Sequence, residues 1–260
     1  MSAAPKRVVI TGSSGDIGHA VARAFVAQGA SLGLVGGKNA AALEAQARDL
    51  RALPEAPRVA TATVDLLAPP AEVGPRVHAA CDGLVAALGG CDALIALAGY
   101  PASPALWNKP LDRITAADLH AVYAVDTVGA FLFAQALAPA LSAAKGTIVI
   151  MASSAAFHGD VWGLAYAPAK SANAGLVKVL ARVLAPAVRV NGIAPGGIAT
   201  AWLQSLDAAG RRHAEAQPLV KRLGTPEEVA AAIVFLAGPG YTNGQTLLMD
   251  GGVFPPAPPG

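Results

Sequence analysis

The sequence predicts an α/β domain built on a doubly wound, seven-stranded parallel sheet, and three observations carry that reading. Short, β-rich runs alternate with longer Ala/Leu-rich stretches from end to end. Most of those runs are continuously apolar, as strands covered on both faces must be, and no internal repeat or linker divides the 260 residues. A composition of 54% hydrophobic and 14% charged residues supplies core for two faces of a sheet and leaves a thin charged surface, which points to surface buried between subunits.

In order, the strands are expected at Arg7–Ile10, Ser31–Val35, Val59–Val64, Ala93–Leu97, Thr147–Met151, Val188–Ile193 and Thr246–Met249. The helical stretches between them let each strand return parallel through a right-handed crossover. One domain is expected over residues 1–254, followed by a loose tail, Pro255–Gly260, whose prolines can continue neither strand nor helix. Ligands of such sheets sit beyond the carboxyl ends of the strands, so the informative residues should follow the strands.

The bulk numbers exclude several classes. A net charge of +2 with no long basic run gives no case for nucleic acid or an acidic membrane. Cys81 and Cys91, the only cysteines, read as reduced thiols of a cytosolic protein. No signal-peptide pattern opens the chain, and apolar stretches of spanning length are broken by Gly, Pro or charge, so a soluble, cytoplasmic protein is expected. His19, His78, His120, His158 and His213 show no metal-ligand spacing, and no metal is expected. No Ser-His-acid pattern suggests a hydrolase. Partners should be small molecules and copies of the chain itself.

After the first strand comes Thr11-Gly12-Ser13-Ser14-Gly15-Asp16-Ile17-Gly18, opening a helix. Glycines there let backbone N–H groups approach a pyrophosphate at the positive end of the helix, although any tight strand-to-helix turn wants glycine as well. At the end of the second strand stands Gly36-Gly37-Lys38-Asn39, with no acid to accept from a ribose 2′-hydroxyl and a lysine able to neutralise a 2′-phosphate. This favours NADP(H) over NAD(H); the alternative for Lys38 is an ordinary solvated loop lysine. Asp65 follows the third strand, where it can serve as a helix cap.

Tyr166-Ala167-Pro168-Ala169-Lys170 places a phenol and an ammonium four residues apart on one helix face. A free phenol is mostly protonated at neutral pH, and an adjacent ammonium favours the phenolate. Pro168 fits only the first turn of a helix, so Tyr166 should lie at a helix start. Upstream stand Ser153 and Ser154, directly after the fifth strand. Downstream stand Asn191 to Gly196 with Thr200, then Arg222 to Ala230, then Gly244 to Gly252.

Together these ordered motifs resemble the short-chain dehydrogenase/reductase family across nearly the whole chain. The resemblance implies a Rossmann fold and hydride transfer between a ketone or aldehyde and an alcohol. Ser154 would hydrogen-bond the substrate oxygen, with Ser153 the fallback; Tyr166 would move the proton; Lys170 would tune Tyr166 and hold ribose hydroxyls. Asp126 stands where the family's fourth catalytic member is an asparagine; it would keep a backbone-water relay but bring a charge able to pair with Lys170 and dull its effect. Gly12, Ser14, Gly15, Asp16, Ile17 and Gly18 would meet the pyrophosphate end, and Gly37 and Lys38 the adenosine ribose. Asp65 would meet the adenine and Ile198 and Thr200 the nicotinamide end, with Leu66, Ala98, Gly99, Pro195 and Gly196 completing the cofactor site.

There are departures from the pattern. Asp16 replaces the middle glycine of T-G-x-x-x-G-x-G, and Ala96-Leu97-Ala98-Gly99 replaces N-N-A-G. Asp16 is expected to turn away from the phosphates and act as a local cap or turn residue. These departures motivate a second reading, a catalytically silent family member that binds nucleotide as a sensor or scaffold. The segment Ala201–Lys221 fits no motif and is read as a substrate lid. Its Arg211, Arg212 and Lys221 are either anion contacts or plain exposed charges. Trp162 and Trp202 either line the site or pack the subunit itself, and His158 either touches substrate or is a solvated loop histidine. The helix after Tyr166 is apolar on nearly all sides, which together with the resemblance implies a homotetramer that also uses Ala116–Ala140.

Overall fold

In the computed structural model, which describes residues 5–53, 58–100, 103–159, 163–206 and 208–253, the apolar runs become strands β1 (Arg7–Thr11), β2 (Ser31–Gly36), β3 (Val59–Thr63), β4 (Ala93–Ala96), β5 (Thr147–Met151), β6 (Arg189–Pro195) and β7 (Thr246–Met249). The tail Pro255–Gly260 and Trp162 lie outside the described residues. Among those residues the strands form one seven-stranded sheet in the order β3-β2-β1-β4-β5-β6-β7, with every neighbouring pair parallel. β6 runs two residues beyond its expected end because Gly192 to Pro195 pair with Thr246 to Met249 of β7. That extension depends on a partner strand and has no local signal.

The helices are α1 (Asp16–Val26), α2 (Ala40–Arg51), α3 (Pro70–Leu88), α4 (Pro104–Trp107), α5 (Ala116–Tyr123), α6 (Gly129–Ala144), α7 (Ala155–His158), α8 (Tyr166–Val183), α9 (Ala201–Gln204), α10 (Ala208–Ala216) and α11 (Pro226–Ala237). The pleat sorts successive strand residues onto opposite faces. Val8 and Ile10 pack in one core with Val21 and Phe25 of α1 and Ile233 of α11. Val9, between them in sequence, packs in the other core with Leu84 of α3, Phe133 of α6 and Val177 of α8. This double covering is why the strands are apolar throughout.

α5 runs into α6 through a π turn, Ala124–Val128, giving a run from Ala116 to Ala144 that is long and apolar enough to cross a bilayer. The run carries Asp118, Asp126, Gly129 and Pro139, the residues expected to interrupt it, yet the helix continues through them. Half of the run's most apolar window is buried inside the fold, and Phe133, Leu137 and Leu141 pack against the sheet, so it is a core helix. Cys81 and Cys91 are both free and buried in the same core.

From β1 the chain lays β2 and β3 on one side, then returns to place β4 on the other. The split opens a crevice beyond the carboxyl ends of β1 and β4.

Candidate active site

The glycine turn borders this crevice. Gly12 adopts φ +65°, and a Cβ there would lie 2.8 Å from the Cα and N of Ala98, at the end of β4. A Cβ at Gly18 would lie 2.5 Å from the Gly12 and Ser13 carbonyl oxygens, so the start of α1 presses directly on the turn. Gly15 is different: it is the N-cap of α1, and its Cβ would meet only the Gly12 oxygen at 3.6 Å. Thr11 Oγ1 accepts from both Leu97 N–H and Ala98 N–H at 3.1 Å, bracing β1 to the segment after β4. It ties the sheet edge where the asparagine pair of the N-N-A-G pattern is missing.

Asp16 departs from expectation. It is the first residue of α1, makes no local cap, and its Oδ2 accepts from the Ala201 backbone N–H across the crevice at 2.6 Å. Lys38 and Asp65 meet at the far end, with Nζ 3.4 Å from Oδ2. Asp65 also accepts from Leu67 N–H at 3.0 Å through Oδ1, turning the chain toward α3.

Tyr166 opens α8 and Pro168 falls in its first turn, where a missing N–H is harmless. Lys170 lies one turn on, with Nζ 5.4 Å from the Tyr166 ring centre. Its ammonium is buried, and Nζ lies 2.9 Å from Asp126 Oδ2 and 3.4 Å from the Met151 carbonyl. Burial draws this lysine down, yet the Asp126 carboxylate and Tyr166 outweigh that, and the net direction is up from 10.5. Asp126 sits in the π turn, whose extra residue rotates its side chain inward; Oδ1 accepts from Tyr100 N–H at 2.5 Å. It is wholly enclosed and stands behind Lys170, where the two charges pair. Asn173, three residues after Lys170 and absent from the sequence reading, donates to the carbonyls of Asp126 and Met151 at 2.9 Å each.

Of the two serines, Ser153 is buried and its Oγ accepts from Ala155 N–H at 3.3 Å, whereas Ser154 is half-exposed at the start of α7. His158, at the end of α7, is not a solvated histidine. Its Nε2 lies 2.8 Å from Asp250 Oδ2, and Asp250 Oδ1 accepts from Gly252 N–H at 2.9 Å.

The aromatic wall was unforeseen in part. Trp107 of α4 packs on Tyr166 with centroids 5.5 Å apart, and Trp202 of α9 meets Trp107 edge-on at 5.0 Å. Gly163 makes this possible: a Cβ there would lie 2.7 Å from the Trp107 ring, and its N–H donates to the Trp107 carbonyl. A lone tryptophan in a weakly patterned segment gave no sequence signal.

These groups line a cavity of about 2220 Å³, beyond the roughly 300–1,000 Å³ of a single small-ligand pocket, so it has room for two ligands side by side. Ser154, Tyr166 and Lys170 are on its wall. So are Gly12, Ser14, Gly15, Asp16, Ile17 and Gly18 of the turn. Gly37, Lys38, Asp65 and Leu66 lie toward one end, and Ala98, Gly99, Pro195, Gly196, Ile198 and Thr200 complete the rim above the strands. The segment read as a lid contributes Trp202, Leu206, Gly210 and Gln217. Two of its cations turn to the backbone instead: Arg211 donates to the Gln204 and Leu206 carbonyls and Lys221 to that of Ala216, each at 3.0 Å.

Known proteins share this architecture. A short-chain dehydrogenase/reductase (glucose/ribitol dehydrogenase) from Brucella melitensis superposes with a TM-score of 0.86 at 31% identity, over 98% of this chain and 99% of that one. A family model described as enoyl-(acyl carrier protein) reductase matches residues 12–254. The chain belongs to the short-chain dehydrogenase/reductase family. A family member from Burkholderia cenocepacia, solved in complex with NADP, has a TM-score of 0.85 and 30% identity over 95% of this chain and 97% of that one. A cis-2,3-dihydrobiphenyl-2,3-diol dehydrogenase from a Pseudomonas species is 35% identical over 260 residues, covering 94% of this chain and 90% of that protein. Like its dehydrogenase and reductase relatives, this family member is an oxidoreductase acting on CH–OH/C=O groups.

Proposed function

We propose that this protein interconverts a ketone or aldehyde and an alcohol with NADP(H), preferred over NAD(H), through Ser154, Tyr166 and Lys170. The reading rests chiefly on one observation: Tyr166, Lys170 and Ser154 line the same cavity as the glycine turn. The turn fits a dinucleotide because side chains at Gly12 and Gly18 would fill the space its backbone leaves open. Bound nicotinamide supplies or accepts the hydride. Ser154 Oγ orients the substrate oxygen by a hydrogen bond, Tyr166 Oη gives or takes its proton, and Lys170, fixed by Asp126, holds ribose hydroxyls. The preference for NADP(H) rests on Lys38 at the adenosine end, with no acid at the close of β2.

The test is NADPH fluorescence on mixing, followed by turnover of a ketone and alcohol panel with both cofactors. Tyr166→Phe should keep NADPH binding and lower turnover by at least ~10²-fold. The Asp126–Lys170 ion pair favours the second reading, a silent nucleotide sensor, because it offsets part of the positive field at Tyr166. NADPH binding with no turnover across the panel would select that reading.

A single catalytic domain over residues 1–254, working in the cytoplasm as a homotetramer, completes the proposal. Two separate apolar faces support the assembly, since a tetramer with dihedral symmetry needs two kinds of contact. On the layer of α6 and α8 stand Phe131, Val179 and Val183, the last 70% exposed; on the layer of α11 stands Phe235, 72% exposed. Sedimentation of a folded monomer at micromolar concentration would refute it.

A further inference from the structure

Asp16 occupies the family's middle-glycine position, yet its partner lies 185 residues away. The acceptor is charged and the donor, Ala201 N–H, belongs to the first turn of α9, whose own N-cap residue, Thr200, makes no side-chain cap. The next residue is Trp202, whose indole meets Trp107, whose ring in turn packs on Tyr166. A continuous set of contacts thus runs from the glycine turn through α9 to the ring of the proposed proton donor.

From this geometry we infer that Asp16 is a positioning residue for the substrate end of the site: it pins α9 so that Trp202 and Trp107 form an aromatic roof beside Tyr166, fitted to carbonyl or carbinol carbons borne on flat, cyclic apolar groups. The carboxylate belongs to the roof rather than to the phosphates. Two indoles offer such a group large apolar faces and edges, whereas a short acyclic ketone covers little of them. The substrate class rests on the oxidoreductase reading above; the role of Asp16 in holding α9 does not.

The experiment compares Asp16→Gly, Asp16→Asn, Trp202→Ala and the Asp16→Gly/Trp202→Ala double variant. Acetophenone and 2-butanone serve as substrates, with NADPH titration and acrylamide quenching of tryptophan fluorescence as independent readouts. Asp16→Gly should raise KM for acetophenone at least ~5-fold while kcat and NADPH affinity stay within ~3-fold, and indole quenching should rise. Asparagine keeps an acceptor for Ala201 N–H, so Asp16→Asn should restore both readouts toward wild type. The double variant should be no worse than the poorer single variant, because both act on one roof. KM for 2-butanone should change less than ~2-fold.

A gain of ~10-fold or more in NADPH affinity for Asp16→Gly, with quenching unchanged, would overturn the inference and assign the carboxylate to the phosphates. Additive losses in the double variant would also overturn it. If wild-type protein reduces neither ketone nor any of the panel, the oxidoreductase reading fails. Quenching then still decides the position of Asp16: a rise on Asp16→Gly supports its hold on α9, and no change refutes it.

Discussion

Lys170 Nζ lies 2.9 Å from Asp126 Oδ2, with Asp126 fully enclosed and Lys170 buried save where it reaches the cavity wall. Such a pair is weakly stabilising as a whole, but removing one partner strands a buried charge. Asp126→Ala should therefore destabilise the protein by roughly 3–5 kcal/mol in urea denaturation. Asp126→Asn should lose less, because the amide oxygen still accepts from Tyr100 N–H. Equal stability of Asp126→Ala and wild type would show that the pair does not form.

The same pair sets a pH dependence. The direction for Lys170 is up from 10.5, with desolvation outweighed by Asp126 and Tyr166. A lysine raised on folding contributes its stability in full below the unfolded-chain value and loses it as pH rises through the folded value. This contribution should stay level to about pH 10.4 and fall above it. In Asp126→Asn the fall should shrink or invert, because the main cause that raises Lys170 is gone while burial still draws it down, as denaturation midpoints across alkaline pH would register.

Glycine requirements in the turn should be unequal. Gly12→Ala and Gly18→Ala drive a methyl to 2.8 Å and 2.5 Å from backbone, whereas Gly15→Ala brings one only to 3.6 Å. The first two should lose at least ~10-fold in NADPH affinity and about 1–3 kcal/mol in stability, the scale of overpacking. Gly15→Ala should stay within ~3-fold of wild type in NADPH titration. Uniform losses across the three would argue against this geometry.

Lys38 is largely exposed and 3.4 Å from Asp65, so it is only loosely engaged. If it meets a 2′-phosphate, Lys38→Ala should weaken NADPH roughly 10-fold, the scale of one charge-assisted hydrogen bond, while NADH hardly changes. The NADPH penalty should shrink as salt is added. Matching losses for the two cofactors would make it a plain surface lysine.

Burial pushes the Cys81 and Cys91 thiols up to about 12 each, desolvation being the largest cause for both. The thiolate is the reactive form, so a disulfide reagent at neutral pH should leave native protein unmodified and label both residues after unfolding. Rapid labelling of the native protein would place these side chains elsewhere.

Whatever repeats over a few residues was legible in the chain alone. Strands covered on both faces announce themselves as unbroken apolar runs, the glycine turn follows the first of them, and Tyr166 and Lys170 share a helix face because four residues make about one turn. Tertiary packing alone brought Asp16 and His158 to their partners. Asp16 resembles a helix cap in sequence yet meets Ala201, and His158 meets Asp250, 92 residues on. Asp126 turns inward because a π turn rotates it, and Trp107 reaches Tyr166 because Gly163 leaves room for its ring. A local pattern fixes which face a side chain takes; what meets that face depends on where the crossovers bring distant segments together, and no short window of residues contains that.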